Sequence, residues 1–364
     1  VRSKRASTTT SFAPRQFRLA RPVIGLRVTG AATAYPILAD HERASCGVEI
    51  RDSGLSRERV ETAVKSLSYE TDYLARGLKT RQTSVIGLLA PMVSDALASQ
   101  VMQGVEEEAQ ERSYAVMLGR TGAKSAYIAG YLRTLRTYRD AGVILISAVI
   151  TPETRQLLGP NVPIISVAIS DKSGSPSVAI DDEQAAYDAT RHLLKLGHRR
   201  IGLLTGDPAS VFVAQPRKRG YLRAMAEAKC TPVTATGTFF YESGAPGVDE
   251  LLQQDPGLTA IFAVSDEMGA AVVNELQRRG LRVPEDVSVL GFDNTSTSRH
   301  VNPPLSTMAQ PFEEMGRMAV KKLLRSRDLG PKIMPHRLVE RGSTGPPTST
   351  PTNPVPPGTQ VLVS

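Results

Sequence analysis

The chain has 364 residues, 41% of them hydrophobic and 22% charged, which is long enough for two or three compact units and excludes a disordered or collagen-like polymer. Its formal charge is +8, and no apolar run approaches the ~20 residues that span a bilayer, so no membrane partner is expected. Two cysteines, Cys46 and Cys230, cannot build a disulfide framework and lack metal-ligand spacing, which fits a reducing cytoplasm.

Residues 1–20 are rich in Ser, Thr and Arg without periodicity and read as a disordered basic arm. From Val1 to Arg27 the basic side chains Arg2, Lys4, Arg5, Arg15, Arg18, Arg21 and Arg27 meet no acid. Such an arm suits phosphate tracking and simple solvation equally. Between Ser84 and Arg341 the pattern changes. SVIGLLAP precedes an amphipathic stretch at Gln100–Arg112, YAVMLGR precedes Ser125–Tyr138, and AGVILIS and VPIISVAI precede Gln184–Leu196. RIGLLTG then leads to Arg217–Ala228, AIFAVS leads to Glu267–Arg279, and VSVLGFD follows. Apolar runs of this length, punctuated by Gly and Pro, predict strands buried on both faces. Their alternation with helices predicts parallel sheets of right-handed βαβ units. Gly197 and Gly280 stand where left-handed caps should end two of the helices, and His198 falls in the turn after Gly197, placed to bridge carbonyls. There are more βα units than one ordinary sheet holds, so two similar lobes with a cleft between them are expected. Residues 345–364, with six prolines between Pro346 and Pro357, read as a disordered tail.

Enzyme chemistry finds no support. No G-x-G-x-x-G follows a strand, and Ala123 interrupts GRTGAKS (Gly119–Ser125) where a phosphate loop needs Gly-Lys contiguous. The five histidines form no H-E-x-x-H or Cys/His pair, so no metal is expected. No nucleophile elbow is present, and no cofactor is expected. What remains at strand ends is a set of hydrogen-bonding groups: Ser94, Asp95, Arg217, Ser265, Asp266 and Asp293. Carboxylates and a forked guanidinium suit recognition of a polyol or amide without bond breaking. Each of these residues serves equally as a loop or cap residue, except Asp293, which ends a buried strand at the place a cleft residue should occupy.

The stretch LRVPEDVSVLGFDNTSTSRHVNPPLSTMAQPFEEMGRMAVKKLL closely resembles the effector domain of lactose/galactose-type repressors, as do LLKLGHRRIGLLTG, AIFAVSDEM and HRLVERGSTGPP. SVIGLLAPMVSDALASQVMQGVEEEAQERSYAVMLG looks like the first βα unit of that domain, and the likeness runs in order through residues 55–347. It implies an α/β, two-lobed domain like periplasmic binding proteins, with two doubly wound parallel sheets, over residues 83–344. Lobe 1 would take about 83–172 and 308–328, and lobe 2 about 173–307 and 329–344. The resemblance makes Arg217, in R-K-R-G-Y, and Asp293, in G-F-D-N, the main effector-binding residues. It adds Ser265 and Asp266 at the family's Asn-Asp position, and Asp95 and Leu97 after the first strand. Two departures stand out. The family's N-P-F-F is here Asp95-Ala96-Leu97-Ala98, which removes an aromatic platform from that lobe, and its Asp-Arg pair falls at Ala168-Ile169.

Residues 21–80 resemble the family's helix-turn-helix headpiece in degenerate form, with a hinge helix at 74–78 in LARGLK. By that likeness Leu78 is the minor-groove wedge, with Ala75 beside it, and Arg76 and Lys79 hold phosphates. Ala31, Ala32, Thr33 and Tyr35 fall on the recognition helix. Pro36 falls inside that helix, where it costs ~3 kcal/mol or more, and Arg43–Gly54 is longer than the family's turn. The resemblance implies a homodimeric repressor that binds operator DNA and a sugar-like effector, or a related polyol or nucleoside. The alternative is a cytoplasmic small-molecule-binding module that has lost specific DNA binding.

Overall fold

The computed structural model describes residues 84–348, except 94, 123–124, 139–140, 172 and 326–329. These residues belong to one compact unit, Asp72–Ser364. The headpiece and hinge positions expected to touch DNA, from Ala31 to Lys79, lie outside the described residues, as do Ser94 and the Pro-rich tail from 349 onward.

Two six-stranded sheets organise the unit. The first contains β1 (Val85–Ala90), β2 (Ala115–Arg120), β3 (Gly142–Ile146), β4 (Ile164–Val167), β5 (Ser177–Ala179) and β11 (Lys332–Ile333), in the order β11-β5-β4-β3-β1-β2. The second contains β6 (Ile201–Thr205), β7 (Val233–Thr236), β8 (Ala260–Ala263), β9 (Ser288–Asp293), β10 (Ser306–Ala309) and β12 (Arg337–Val339), in the order β12-β10-β9-β8-β6-β7. Pairing is parallel throughout except β12 on β10. The sheets share one connectivity. Strand order reverses between β1 and β3 in one and between β6 and β8 in the other, and ligands of open α/β sheets bind beside the strand carboxyl ends at such points.

Strands β1, β3, β4, β6, β8 and β9 are buried along nearly their whole length, because helices cover both faces of each sheet. β2 departs from the expected double burial. It is an edge strand with mostly exposed side chains, Met117 at 36% and Leu118 at 44% among them. In the first lobe α1 (Ala96–Glu111), α2 (Ser125–Tyr138), α3 (Pro152–Leu158) and α9 (Phe312–Leu324) flank the sheet. In the second, α4 (Asp182–Lys195), α5 (Ala214–Glu227), α6 (Gly244–Gln254), α7 (Asp266–Arg278) and the short α8 (Thr297–His300) do so. α1 packs on α9 and α4 on α5. Gly197 and Gly280 take positive φ, 105° and 77°, in the turns that end α4 and α7, a backbone that glycine adopts without steric cost.

Sheet membership moves the lobe boundaries. Ser177–Ala179 pairs with β4 and Lys332–Ile333 pairs with β5, so both belong to lobe 1. β10 completes the second sheet beside β9, which keeps residues 308–309 in lobe 2. The chain therefore crosses between lobes three times, at about 180–181, 310–311 and 334–336. Short strands beside a crossing leave little periodicity in the sequence, and their sheet is fixed only by tertiary pairing.

Tyr221 shows how the second lobe is tied together. Its buried hydroxyl donates to the Ile201 carbonyl at 2.7 Å and accepts from the Val233 N–H at 3.0 Å, joining α5 to β6 and β7. Burial raises its pKa to about 12, so it stays protonated. Tyr221→Phe keeps the ring but leaves these backbone groups short of a partner, and the expected loss is about 1–3 kcal/mol. Urea denaturation of the two proteins checks it.

Candidate functional site

Arg217 lies on the sheet-facing side of α5, one turn before Tyr221, and is only 3% exposed. A buried guanidinium needs its donors answered, and four groups surround it. Nε donates to Asp182 Oδ1 at 2.8 Å and Nη1 to the Val264 carbonyl at 2.6 Å. Nη2 stands 3.6 Å from Asp293 Oδ1, and the guanidinium carbon lies 3.8 Å from the Phe292 ring centroid, a cation–π contact. These groups come from the start of α4, the end of β8 and the end of β9, so the sheet's carboxyl edge assembles the cluster.

Asp293 closes β9 in a conformation that side chains rarely adopt, with φ 110°, and Asn294 follows at φ 59°. Two such residues in succession store backbone strain, which persists where surrounding contacts impose it and concentrates at functional sites. The contacts are present here. Gln310 Nε2 donates to Asp293 Oδ1 at 2.7 Å, and Arg341 Nη2 donates to Asn294 Oδ1 at 2.6 Å. Burial pushes the Asp293 carboxyl well above the ordinary carboxylate range, with Arg217 pulling it down and the charges of Asp266 and Asp95 adding to the rise.

Ser265 and Asp266 were expected to face an effector, and the structure gives both other duties. Ser265 caps α7, accepting from the Met268 N–H at 3.2 Å while donating to the Phe239 carbonyl at 2.8 Å. Asp266 is 1% exposed. Its Oδ1 accepts from Thr307 Oγ1 at 2.6 Å, and its Oδ2 accepts from the Thr295 N–H and hydroxyl at 2.6 and 3.1 Å. It ties α7 to the segments after β9 and along β10.

Burial raises the Asp266 pKa to about 6, against the opposing pull of those donors and of Arg341. The folded state therefore holds this proton more tightly than the unfolded chain does. The group contributes stability as pH falls from above 6 toward 4, roughly 3 kcal/mol over the window, and that contribution is lost as pH rises through about 6. Asp266→Asn is neutral at every pH and lacks this slope. The stability lead of the native protein over the variant should shrink between pH 4.5 and pH 7 in parallel urea titrations. An unchanged lead would mean that Asp266 does not titrate there.

In lobe 1, Asp95 follows β1, the strand whose place in the second sheet is taken by β6. It caps α1, Oδ1 accepting from the Leu97 N–H at 3.1 Å, and burial together with the charge of Glu267 raises its pKa. Leu97 is half-buried and packs against the core, so its side chain serves packing. Ala168 and Ile169 are buried, and Ala168 has φ 63°, so no polar side chain replaces the Asp-Arg pair there. The structure thus brings Arg217, Asp293 and Asp95 into one electrostatic neighbourhood.

Three participants were not anticipated. Asp182 is the closest anion to Arg217. Gln310 holds Asp293 from the second lobe crossing, and it obeys the same rule that singled out Asp293, a polar residue ending a buried strand. Phe239 has φ 72° and lies against Gly206 beyond β6, so closely that a Cβ on Gly206 would overlap its ring. His198 is buried in the turn after α4, between Thr259 Oγ1 and the Gly345 carbonyl, each at 2.9 Å, so one hydroxyl stands where a carbonyl was expected. A separate groove of about 570 Å³, lined by α4 residues including Arg191 and His192 and by β12 with its flanking residues His336 and Glu340, shares no residue with the cluster. Among the described residues no group of His, Cys, Asp and Glu is arranged to hold a metal ion, and no helix is long and apolar enough to cross a membrane.

Twin doubly wound sheets, crossed three times and carrying polar residues on their carboxyl edges, define a two-lobed fold of the periplasmic-binding type. Residues 190–344 match the family model described as a periplasmic binding protein-like domain. The chain is 32% identical to catabolite control protein A of Priestia megaterium, over 79% of this chain and 90% of that protein. It is 33% identical to the ribose operon repressor of Haemophilus influenzae, over 74% and 82%. A crystal structure of the lac repressor dimer bound to operator and the anti-inducer ONPF superposes with a TM-score of 0.74 at 25% identity, covering 85% of this chain and 99% of that one. The chain belongs to the LacI family of transcription regulators.

Proposed function

We propose that this protein is a homodimeric repressor that binds operator DNA through residues 21–80 and is controlled by a small effector held between its lobes. The observation that carries the reading is the Arg217–Asp293 pair, with Asp293 on strained backbone at the carboxyl edge of the second sheet and Asp95 after β1 of the first. Relatives lend support, since one solved structure is a lac repressor dimer on its operator and another is a complex of the regulator CelR with cellobiose. The exposed apolar side chains of edge strand β2 suit a subunit contact. The Arg76, Leu78 and Lys79 segment would grip phosphates and open the minor groove.

Effector binding would alter lobe closure and so shift the population between operator-bound and released states. The coupling is reciprocal: whatever factor the effector imposes on operator affinity, operator imposes on effector affinity. The test is operator-fragment binding by the full chain with and without a screened small molecule, repeated with Asp293→Asn. Loss of the ligand response in the variant, with DNA binding retained, is the expected result. Absence of any salt-resistant preference for a promoter fragment would favour the second reading, a binding module whose head no longer reads DNA, for which Pro36 speaks.

A further inference from the structure

The groove between α4 and β12 lies apart from the Arg217 cluster and has its own chemistry. Asp188, Arg191, His192 and Lys195 recur at helical spacing on one face of α4. Across from them, His336, Leu338 and Glu340 alternate along β12 and its flanks, so they share one side of that strand. Leu338 pairs with Met308 of β10, and the two form the apolar part of the lining. A cavity of about 570 Å³ is of the size that holds a small organic molecule. Its charges are unevenly answered. Asp188 accepts from His336 Nε2 at 2.9 Å and from Gln184 Nε2 at 3.0 Å, and Arg191 donates to the Tyr187 hydroxyl at 2.9 Å. Lys195, Arg337 and Glu340 make no side-chain hydrogen bond or ion pair among the described residues. His192 Nε2 is buried without a hydrogen-bond partner among those residues, a state that costs free energy until a partner is supplied. Burial holds the His192 pKa below the ordinary histidine value, so the full positive charges of the lining are Arg191, Lys195 and Arg337.

We infer that this groove is a second small-molecule site, separate from the cleft, and that it takes an organic oxyanion: a hydroxylated carboxylate or phosphate ester. Three cations line it against the two carboxylates Asp188 and Glu340, and Asp188 is already engaged. Lys195 and Arg337 are donors without acceptors, and an oxyanion supplies acceptors in charge-assisted bonds. Solvated surface charges need no such partner. In a concave groove, however, protein replaces part of the surrounding water, which strengthens the pull on an anion. Glu340 accepts only, so it suits the hydroxyl groups of the ligand, while Leu338 and Met308 offer contact to its carbon skeleton. The unanswered His192 nitrogen would gain its missing bond when the ring turns toward such a ligand.

The experiment is calorimetric titration of the full chain, at constant ionic strength, with one six-carbon skeleton in three forms: sorbitol, gluconate and sorbitol 6-phosphate. At least one of the two anions should bind saturably and about tenfold or more tightly than sorbitol, and the tighter of them tells carboxylate from phosphate. Lys195→Gln combined with Arg337→Gln, both at exposed positions, should weaken that anion by about tenfold or more. The urea midpoint of this double variant should stay where it is, because neither side chain has a partner to lose. Asp293→Asn, in the cleft, should leave the anion affinity unaltered. Absence of saturable anion binding overturns the proposal, as does equal binding of sorbitol or an affinity indifferent to the double substitution. Anion binding that Asp293→Asn abolishes and the double variant keeps also overturns it, by assigning the ligand to the cleft instead.

Discussion

Replacing Arg217 with alanine should destabilise the unit by about 3–5 kcal/mol, because the side chain is the counterion of two buried carboxylates. Asp182 and Asp293 would be left facing each other across the space it occupied, and the Val264 carbonyl would lose its 2.6 Å donor. The Phe292 ring would also lose its cation. Arg217→Lys should fall between the two proteins, since an ammonium keeps the charge but cannot serve three acceptors in a fixed planar fork. Adding Asp293→Asn to Arg217→Ala should recover part of the loss by removing one unanswered charge, giving a non-additive double-mutant cycle. Urea midpoints of the four proteins measure all of this. A midpoint unmoved by Arg217→Ala would mean that water reaches the cluster and that the guanidinium is not a structural counterion.

The second large effect lies far from the cleft, where α1 crosses α9. Gly104 and Gly316 sit at the crossing, and a Cβ on Gly104 would overlap the Glu313 carbonyl while one on Gly316 would overlap that of Val101. The obstacle on both sides is backbone, which cannot rotate out of the way. Gly104→Val should therefore force the helices apart and cost roughly 3 kcal/mol, at the upper end for overpacking. Gly104→Ala is the more instructive variant. Alanine gains ~1 kcal/mol of helix propensity over glycine, so a net loss of stability would show that the close approach outweighs the propensity. A stabilised Gly104→Ala protein would refute the tight crossing.

Sequence patterns expose what local physics fixes and hide what only tertiary pairing fixes. β1, β3, β6, β8 and β9 were legible because runs such as VILI and VLGF are buried on both faces and bounded by turns. Gly197 and Gly280 marked helix ends because a positive φ favours glycine there. The three-residue β5, the polar β7 and the seven-residue α3 carry too few residues, or too mixed a composition, to show a period. β2 misled because an edge strand can be as apolar as a central one. At the site, Asp293 was legible as a polar end to an apolar strand. Asp182 was hidden among the ordinary acids of a helix start, and the internal hydrogen bonds of Ser265 and Asp266 were not legible because a sequence does not show which polar groups satisfy one another beneath a surface.

The lobe crossings also bear on how the chain is made. The helix that covers β3, β4 and β5, and against which α1 packs, is α9 at Phe312–Leu324, which follows every strand of the second sheet but β12. During synthesis β1 to β5 and α1 leave the ribosome more than a hundred residues before this cover arrives, since β5 ends at Ala179 and α9 begins at Phe312; only β11 of that sheet comes later. Their apolar face must wait while the second lobe's strands are made, a long-range closure of the kind that slows folding and exposes sticky intermediates. The second lobe lacks only β12 when α9 arrives. The nascent chain should therefore complete its two halves almost together and late, and truncations ending before Phe312 should be captured by chaperones rather than accumulate as a folded first lobe.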